Sequence, residues 1–259
     1  MEMKLFYNRI GFATLFRREI DRFLKIYIQT MLAPLLSNML FLGVFGAMIR
    51  TRGTGISGID YLHFLVPGLC GMGAIFSAFQ NPSFSIVAQK YQDILKDINS
   101  YPISIFEKVF SFILGGTFRG VLIGLLTYIS TICFTGYHIE NPGVFLLVLT
   151  VISFIFASLG VVTGLMLDTF EQVNFILSII LTPLAYFGGV FFEVTKLHGA
   201  FSFLVYLNPL FPLINMLRYG YLGIYEGGLM IQLIYIPLLA VISFGAAYAV
   251  FKKGIGLKS

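Results

Sequence analysis

Side chains able to do acid–base, metal or nucleophilic chemistry are few in this sequence and stand far apart. His63, His138 and His198 lie near the ends of different apolar runs, and no HExxH spacing sets two of them on one helical face, so no zinc site is expected. The twelve Asp and Glu residues fall in loops or at the ends of apolar segments. That placement weakens the case for a carrier built on an intramembrane carboxylate. Cys70 in PGLCGMG and Cys133 in STICFTG sit inside apolar runs, as buried free thiols do. Nothing fits GxxxxGK[ST], so the chain has no phosphate-cradling loop for ATP. One charge lies well inside an apolar segment, Arg119 in SFILGGTFRGVLIGLL. It has two readings: a guanidinium facing a cavity and meeting an anionic headgroup, or a structural group nearer the cytoplasm, bonded to a carbonyl or to a carboxylate at a span end. Gly115, Gly116 and Gly120 around it predict close helix packing.

The elements that position these residues follow from composition. Of 259 residues 58% are hydrophobic and 11% charged, with a mean hydropathy of +0.89. A single soluble core could not bury that much apolar surface, so the chain is expected to be an all-α integral membrane protein. A span needs about 20 mostly apolar residues, and six segments supply them: 26–49, 61–87, 106–134, 144–167, 173–192 and 230–251. An even number puts both termini on one side. The N-terminal segment, the 88–108 loop and the tail carry twelve Lys and Arg against four on the opposite side. The positive-inside bias then places both termini in the cytoplasm. The net charge of +5 is thus a matter of topology, and no basic arm with interleaved aromatics points to nucleic acid. No repeat divides the chain, so residues 1–259 form one membrane domain.

Within it, residues 1–25 alternate bulk and charge where a signal peptide needs an unbroken apolar core. Leu5, Phe12, Phe16, Ile20 and Phe23 recur at helical spacing against Arg9, Arg17, Arg18 and Arg22, which predicts a helix lying in the membrane interface. The alternative is the frayed start of the first span. Residues 89–102, QKYQDILKDINSYP, set Tyr91, Ile94, Leu95 and Ile98 on one helical stripe, and Pro102 stops the helix. The polar face carries Lys90, Asp93, Lys96 and Asp97, a mix of signs that suits docking to a protein better than anchoring to anionic lipid. Thr169 and Gln172 have the spacing of a capping box that starts the fifth span. In VNFILSIILTPLAYFGGVFF, Pro183 removes a backbone donor and Gly188 and Gly189 loosen the end, so this helix can kink and act as a gate, with Tyr186, Phe187, Phe191 and Phe192 clustered near its outer boundary. Residues 193–228 are too apolar for a solvated loop. Pro209 and Pro212 are expected to break them into two half-helices dipping in from the outer face.

In that order, a basic interfacial helix, six spans with both ends inside, a helix between spans two and three and paired half-helices after span five, the chain resembles the permease subunits of type-2 ATP-binding-cassette exporters. Locally the likeness is carried by LTPLAYFGGVFF and YLNPLFPLINMLRYGYLG, where Asn208, Pro209 and Arg218 sit as in the family's C-terminal signature. It is similar to the small bacterial permeases of the YadH, nodulation and drug-exporter types, although KYQDILKDINSYPIS lacks the Gly-Thr-x-Glu run of many drug exporters. The resemblance implies a bacterial inner-membrane subunit, not itself an enzyme, that works as a pair of copies. It implies docking of the 89–102 helix into a separate cytosolic ATPase, with Ile94, Leu95 and Ile98 as anchors and Arg17 and Arg18 packed around the same partner. ATP and Mg would be bound by that partner and no cofactor by this chain. Arg119, Pro183, Tyr186, Phe187, Phe191, Asn208, Pro209 and Arg218 would belong to the path or gate for an amphipathic glycolipid, polysaccharide, lipid or drug. Two other classes compete: a self-sufficient carrier or channel, and an intramembrane lipid-modifying enzyme, for which no carboxylate or histidine cluster is found.

Overall fold

Apolar runs of span length can bury their backbone polar groups in lipid only as helices, and in the computed structural model every regular element among the described residues is helical. Those residues are 8–50, 61–136, 139–192, 200–224 and 229–256. The expectations for Leu5, His138, His198, the 193–199 and 225–228 parts of the outer segment and the side chain of Cys133 lie outside them. Helix α1, Arg9–Lys25, is followed by a π-turn at Ile28–Leu32 and by α2, Ala33–Arg50. Then come α3, Tyr61–Tyr91, the short α4, Ile94–Ser100, α5, Ile105–Thr135, and α6, Pro142–Met166. The fifth span is assembled from α7, Phe170–Ile176, a π-turn at Leu177–Leu181, α8, Thr182–Ala185, and a second π-turn at Tyr186–Val190. Helices α9, Ala200–Leu207, α10, Leu210–Leu222, and α11, Leu229–Lys252, complete the chain. Five of these helical stretches are long and apolar enough to cross a membrane, and α1 with the helix after it makes a sixth, bent by 81°.

Helix α3 is the central post, packed chiefly against α5 and α6. The contact is close because glycines on the outer helices meet its backbone. A Cβ at Gly116 would lie 2.8 Å from Ala78 O, and one at Gly120 would lie 2.9 Å from Ala74 O. The Gly115–Gly120 cluster therefore serves packing, as expected. Helix α2 is tied to α5 by Asn38 Nδ2 donating to Thr127 Oγ1 at 3.1 Å. At the corner between α1 and α2, Thr30 Oγ1 donates to Phe23 O at 2.8 Å and so supplies a donor the bend has removed. The fifth span and α11 are the least enclosed spans, and Phe175, Ile179, Leu238 and Val241 leave large apolar faces open. Such surface suits lipid or a second protein. Cys70 is free and buried on α3.

Candidate functional site

One end of the bundle gathers segments far apart in the chain. Ser104 Oγ accepts from Glu107 N at 3.1 Å and Glu107 Oε2 accepts from Ser104 N at 2.8 Å, a capping box that starts α5. The S-x-x-E spacing could have found it. Glu107 Oε1 also accepts from Asn8 N at 2.7 Å, while Asn8 Oδ1 caps α1 through Gly11 N at 2.9 Å. The start of α1 is thereby fastened to the start of α5.

From there α1 packs on protein along its apolar stripe: Phe12 stacks on Phe110 at 6.1 Å, and Phe23 meets the tilted ring of Phe118 at 6.3 Å. Two side chains depart from the expected amphipathic division. Glu19 is 1% exposed, and its carboxylate accepts from Arg18 Nη2 and Arg22 Nη2 at 3.3 Å each, Ser85 Oγ at 2.9 Å and Gln89 Nε2 at 3.2 Å. Arg22, assigned to the polar face, turns inward and donates to Asn81 O at 2.8 Å and Asn81 Oδ1 at 2.9 Å. An acidic group is thus built into the bundle after all, though on α1 and not on a span. Arg119, 6% exposed, stands one turn beyond Gly115, whose backbone packs on Glu19. No hydrogen-bond partner of Arg119 Nε is found among the described residues.

The 89–102 stretch is not one helix. α3 runs through Tyr91, Asp93 takes a left-handed conformation at φ 56°, and α4 begins afresh at Ile94 and stops before Pro102. Left-handed backbone costs about 1 kcal/mol in a residue with a Cβ, and aspartate tolerates it better than most. The break rotates the predicted stripe apart. Leu95 and Ile98 are buried in this chain's own core, at 3% and 1% exposure, which corrects their assignment as anchors held out to a partner. Ile94 is half-buried, and Tyr91 stays on α3 with its ring 60% exposed. The outward face consists of Asp93, Lys96 and Asp97, the first two paired at 3.0 Å. Between this segment and α1 runs a groove of about 750 Å³ lined by Arg17, Arg18, Arg22, Lys25, Gln89 and Ile94. Arg17 and Arg18 are thus brought beside Ile94 from more than seventy residues away in the chain.

At the far end of the fifth span the kink is real and its freed carbonyls are caught. The span starts with the expected box, Thr169 Oγ1 accepting from Gln172 N at 3.3 Å and Gln172 Oε1 from Thr169 N at 3.4 Å. Thr182 Oγ1 donates to Leu177 O at 2.8 Å beside Pro183, and Gly189 ends the helix at φ 78°. Three side chains from other elements then take up carbonyls: Asn208 Nδ2 donates to Leu184 O at 2.7 Å, Arg218 Nη2 to Gly189 O at 2.7 Å and Tyr61 Oη to Phe191 O at 2.8 Å. The guanidinium of Arg218 also lies 3.8 Å from the centre of the Phe64 ring. Asn208 and Arg218, 4% and 1% exposed, therefore pin the kink from inside.

Tyr186 and Phe187 are partly open, and Phe191 packs between Tyr186 and Phe41 at 5.5 and 5.6 Å. A cavity of about 460 Å³ beside the kink is lined by Ile180, Pro183, Phe187, Leu204, Leu207 and Asn208. The half-helices are divided at Asn208–Pro209 alone. Pro209 caps α10, and Pro212 sits inside its first turn, where no backbone N–H is needed. The turn at 208 reaches Leu184, whereas the end of α10 returns to the start of α6 through Asn141 N donating to Gly220 O at 2.9 Å. Asn208→Ala is expected to cost about 2 kcal/mol, because Leu184 O and Leu210 N both lose their partner. Pro212→Ala should stay within about 1 kcal/mol of the parent. Thermal unfolding in detergent would check both.

These features define a polytopic helical membrane protein with a kinked, internally pinned fifth span and a charged face at the opposite end of the bundle. The profile of the ABC-2 type transporter family matches residues 11–222, and the chain belongs to that family. It is therefore a membrane subunit of an ATP-binding-cassette transporter, a non-catalytic transport component of a kind that generally pairs with an ATP-binding subunit. It is 28% identical to the inner membrane transport permease YadH of Escherichia coli strain K12, over 96% of this chain and 98% of the relative. It is 23% identical to nodulation protein J of Rhizobium meliloti, over 83% of each chain. Nodulation protein J of Bradyrhizobium diazoefficiens is 24% identical over 95% of this chain and 94% of the relative.

Proposed function

We propose that two copies of this chain form the membrane path of an ATP-driven exporter for an amphipathic molecule (a glycolipid, polysaccharide, lipid or drug), driven by a separate cytosolic ATPase. The unit sits in the bacterial inner membrane with both termini in the cytoplasm. The excess of Lys and Arg at that end supports this orientation. So does the clustering there of Asn8, the 92–104 segment, the 165–170 turn and Gly256.

The observation that carries the reading is the coupling end. Arg17, Arg18 and Ile94 come from two distant segments and line one groove, Tyr91, Asp93, Lys96 and Asp97 are exposed on the same segment as Ile94, and Leu95 and Ile98 root that surface in the core. A rooted, mixed-charge surface can transmit force and select a partner. ATP and Mg are bound by the partner, which does the hydrolysis. The kinked fifth span, with Pro183, Tyr186, Phe187 and Phe191, supplies the gate. Asn208, Pro209 and Arg218 set its shape, and Arg119 is a buried charge on α5.

Affinity purification of the tagged chain from its native membrane tests this directly. A stoichiometric soluble protein with a phosphate-binding loop is expected, and its repeated absence under crosslinking would favour a self-sufficient carrier. Exchanging the charges, Lys96→Asp with Asp97→Lys, should lower recovery of that ATPase about tenfold and shift the chain's own stability by no more than about 0.5 kcal/mol. Undiminished recovery would remove this face from the contact.

A further inference from the structure

By sequence Lys90 belongs to the solvated face of the 89–102 stretch, but its side chain is 7% exposed. Its Nζ donates to Leu165 O at 2.7 Å, Leu167 O at 2.9 Å and Asp168 Oδ1 at 3.0 Å. An ammonium has three protons, and all three are used. The two carbonyls close the end of α6, where no helical N–H remains to reach them and positive charge is favourable.

The tail after α11 covers the same point. Gly256 is left-handed at φ 70°, and a Cβ there would overlap Leu165 O and crowd Lys90 Nζ. Beside the junction, Tyr91 stacks on Phe170, the first residue of α7, with centroids 5.6 Å apart. Phe84 meets the same ring at 5.9 Å. Two residues further on, left-handed Asp93 makes the joint to α4.

We propose that Lys90 is the positioning residue through which displacement of segment 92–101 is carried to the foot of the fifth span and to the tail. The role rests on the ATPase-driven reading above. Among the described residues no hydrogen bond or ion pair joins segment 92–101 to the fifth span, whereas Lys90 and Tyr91 hold the 165–170 turn from the last turn of α3. The strength of the strut lies in its two carbonyl bonds. The pair with Asp168, whose side chain is 69% exposed, adds little because water screens it. Asp168→Asn should therefore be nearly silent where Lys90→Met is not.

The test is hydrogen exchange of the chain purified with its ATPase, with and without Mg-ATP, read at residues 92–101, 166–176 and 250–256. In the parent all three segments are expected to respond together. In Lys90→Met the 92–101 response persists while those at 166–176 and 250–256 fall roughly threefold or more. Lys90→Arg, which keeps charge and several donors, should restore most of the loss. An unchanged response at 166–176 in Lys90→Met overturns the proposal. So does equal loss in the Met and Arg variants with raised exchange along α3 and α6, because that is general unfolding. If no ATPase accompanies the parent chain, the pump reading fails and the transmission role with it. That outcome is separate from the ATP-free comparison, in which Lys90→Met must still raise exchange at 166–176 and 250–256 or the junction itself is refuted.

Discussion

Glu19→Ala is expected to destabilise the chain by about 3 kcal/mol. The carboxylate is the common acceptor for Arg18, Arg22, Ser85 and Gln89, so its removal strands the buried Ser85 hydroxyl proton and leaves the Gln89 amide with Ser85 Oγ as its acceptor. It also takes from Arg22 the carboxylate it pairs with at 3.3 Å. The full penalty for breaking a buried ion pair, about 3–5 kcal/mol, is not reached at every donor, because the side chains of Arg18 and Arg22 are 37% and 31% exposed and water relieves part of their charge. Glu19→Gln retains an acceptor and loses the charge, and should cost about half as much. Denaturant unfolding in mild detergent measures both. A Glu19→Ala chain within about 1 kcal/mol of the parent would show that α1 is held without the Glu19 network.

Arg218→Ala should be comparably severe, about 3 kcal/mol, for a different reason. The guanidinium donates to Gly189 O at 2.7 Å and lies 3.8 Å from the Phe64 ring centre, so truncation opens a gap on α10 and takes a donor from a carbonyl at the end of the kinked span. Arg218→Lys keeps the charge but lacks the planar fork that bonds and stacks at once, and more than half of the loss should remain. Amide exchange over 186–192 is the informative readout, because release of the pin should raise it selectively. A stable Arg218→Ala chain with unaltered exchange there would return Arg218 to the role of a path-lining charge.

Much of the fold was legible in the sequence because its signals are local. Span positions agree with the helices to within a few residues, and the Thr169–Gln172 box and the break at Gly189 lie where the sequence places them. The misreadings share a cause. A continuous helix over 89–102 assumes that periodicity persists through Gln92 and Asp93, yet one left-handed residue resets the phase and sends Leu95 and Ile98 inward. Pro212 reads as a breaker in the sequence because a proline's effect depends on how far it stands from the helix start, and that start is set by Asn208 and Pro209. Lys90, Arg22 and Glu19 look solvated on a helical wheel, which places a residue on a face without saying what that face meets.

The sequence by itself determined that this is a helical membrane protein and where its spans lie. Lipid leaves backbone groups no partner outside the helix, so composition and run length are sufficient for those conclusions. Only the tertiary structure decided which polar side chains serve which carbonyls: Asn208 and Arg218 the end of the fifth span, Lys90 the end of α6, Glu19 the donors of α1 and α3. Those pairings join residues tens of positions apart, and in a bundle their identity follows from how helices rotate against one another, which hydrophobic periodicity does not encode.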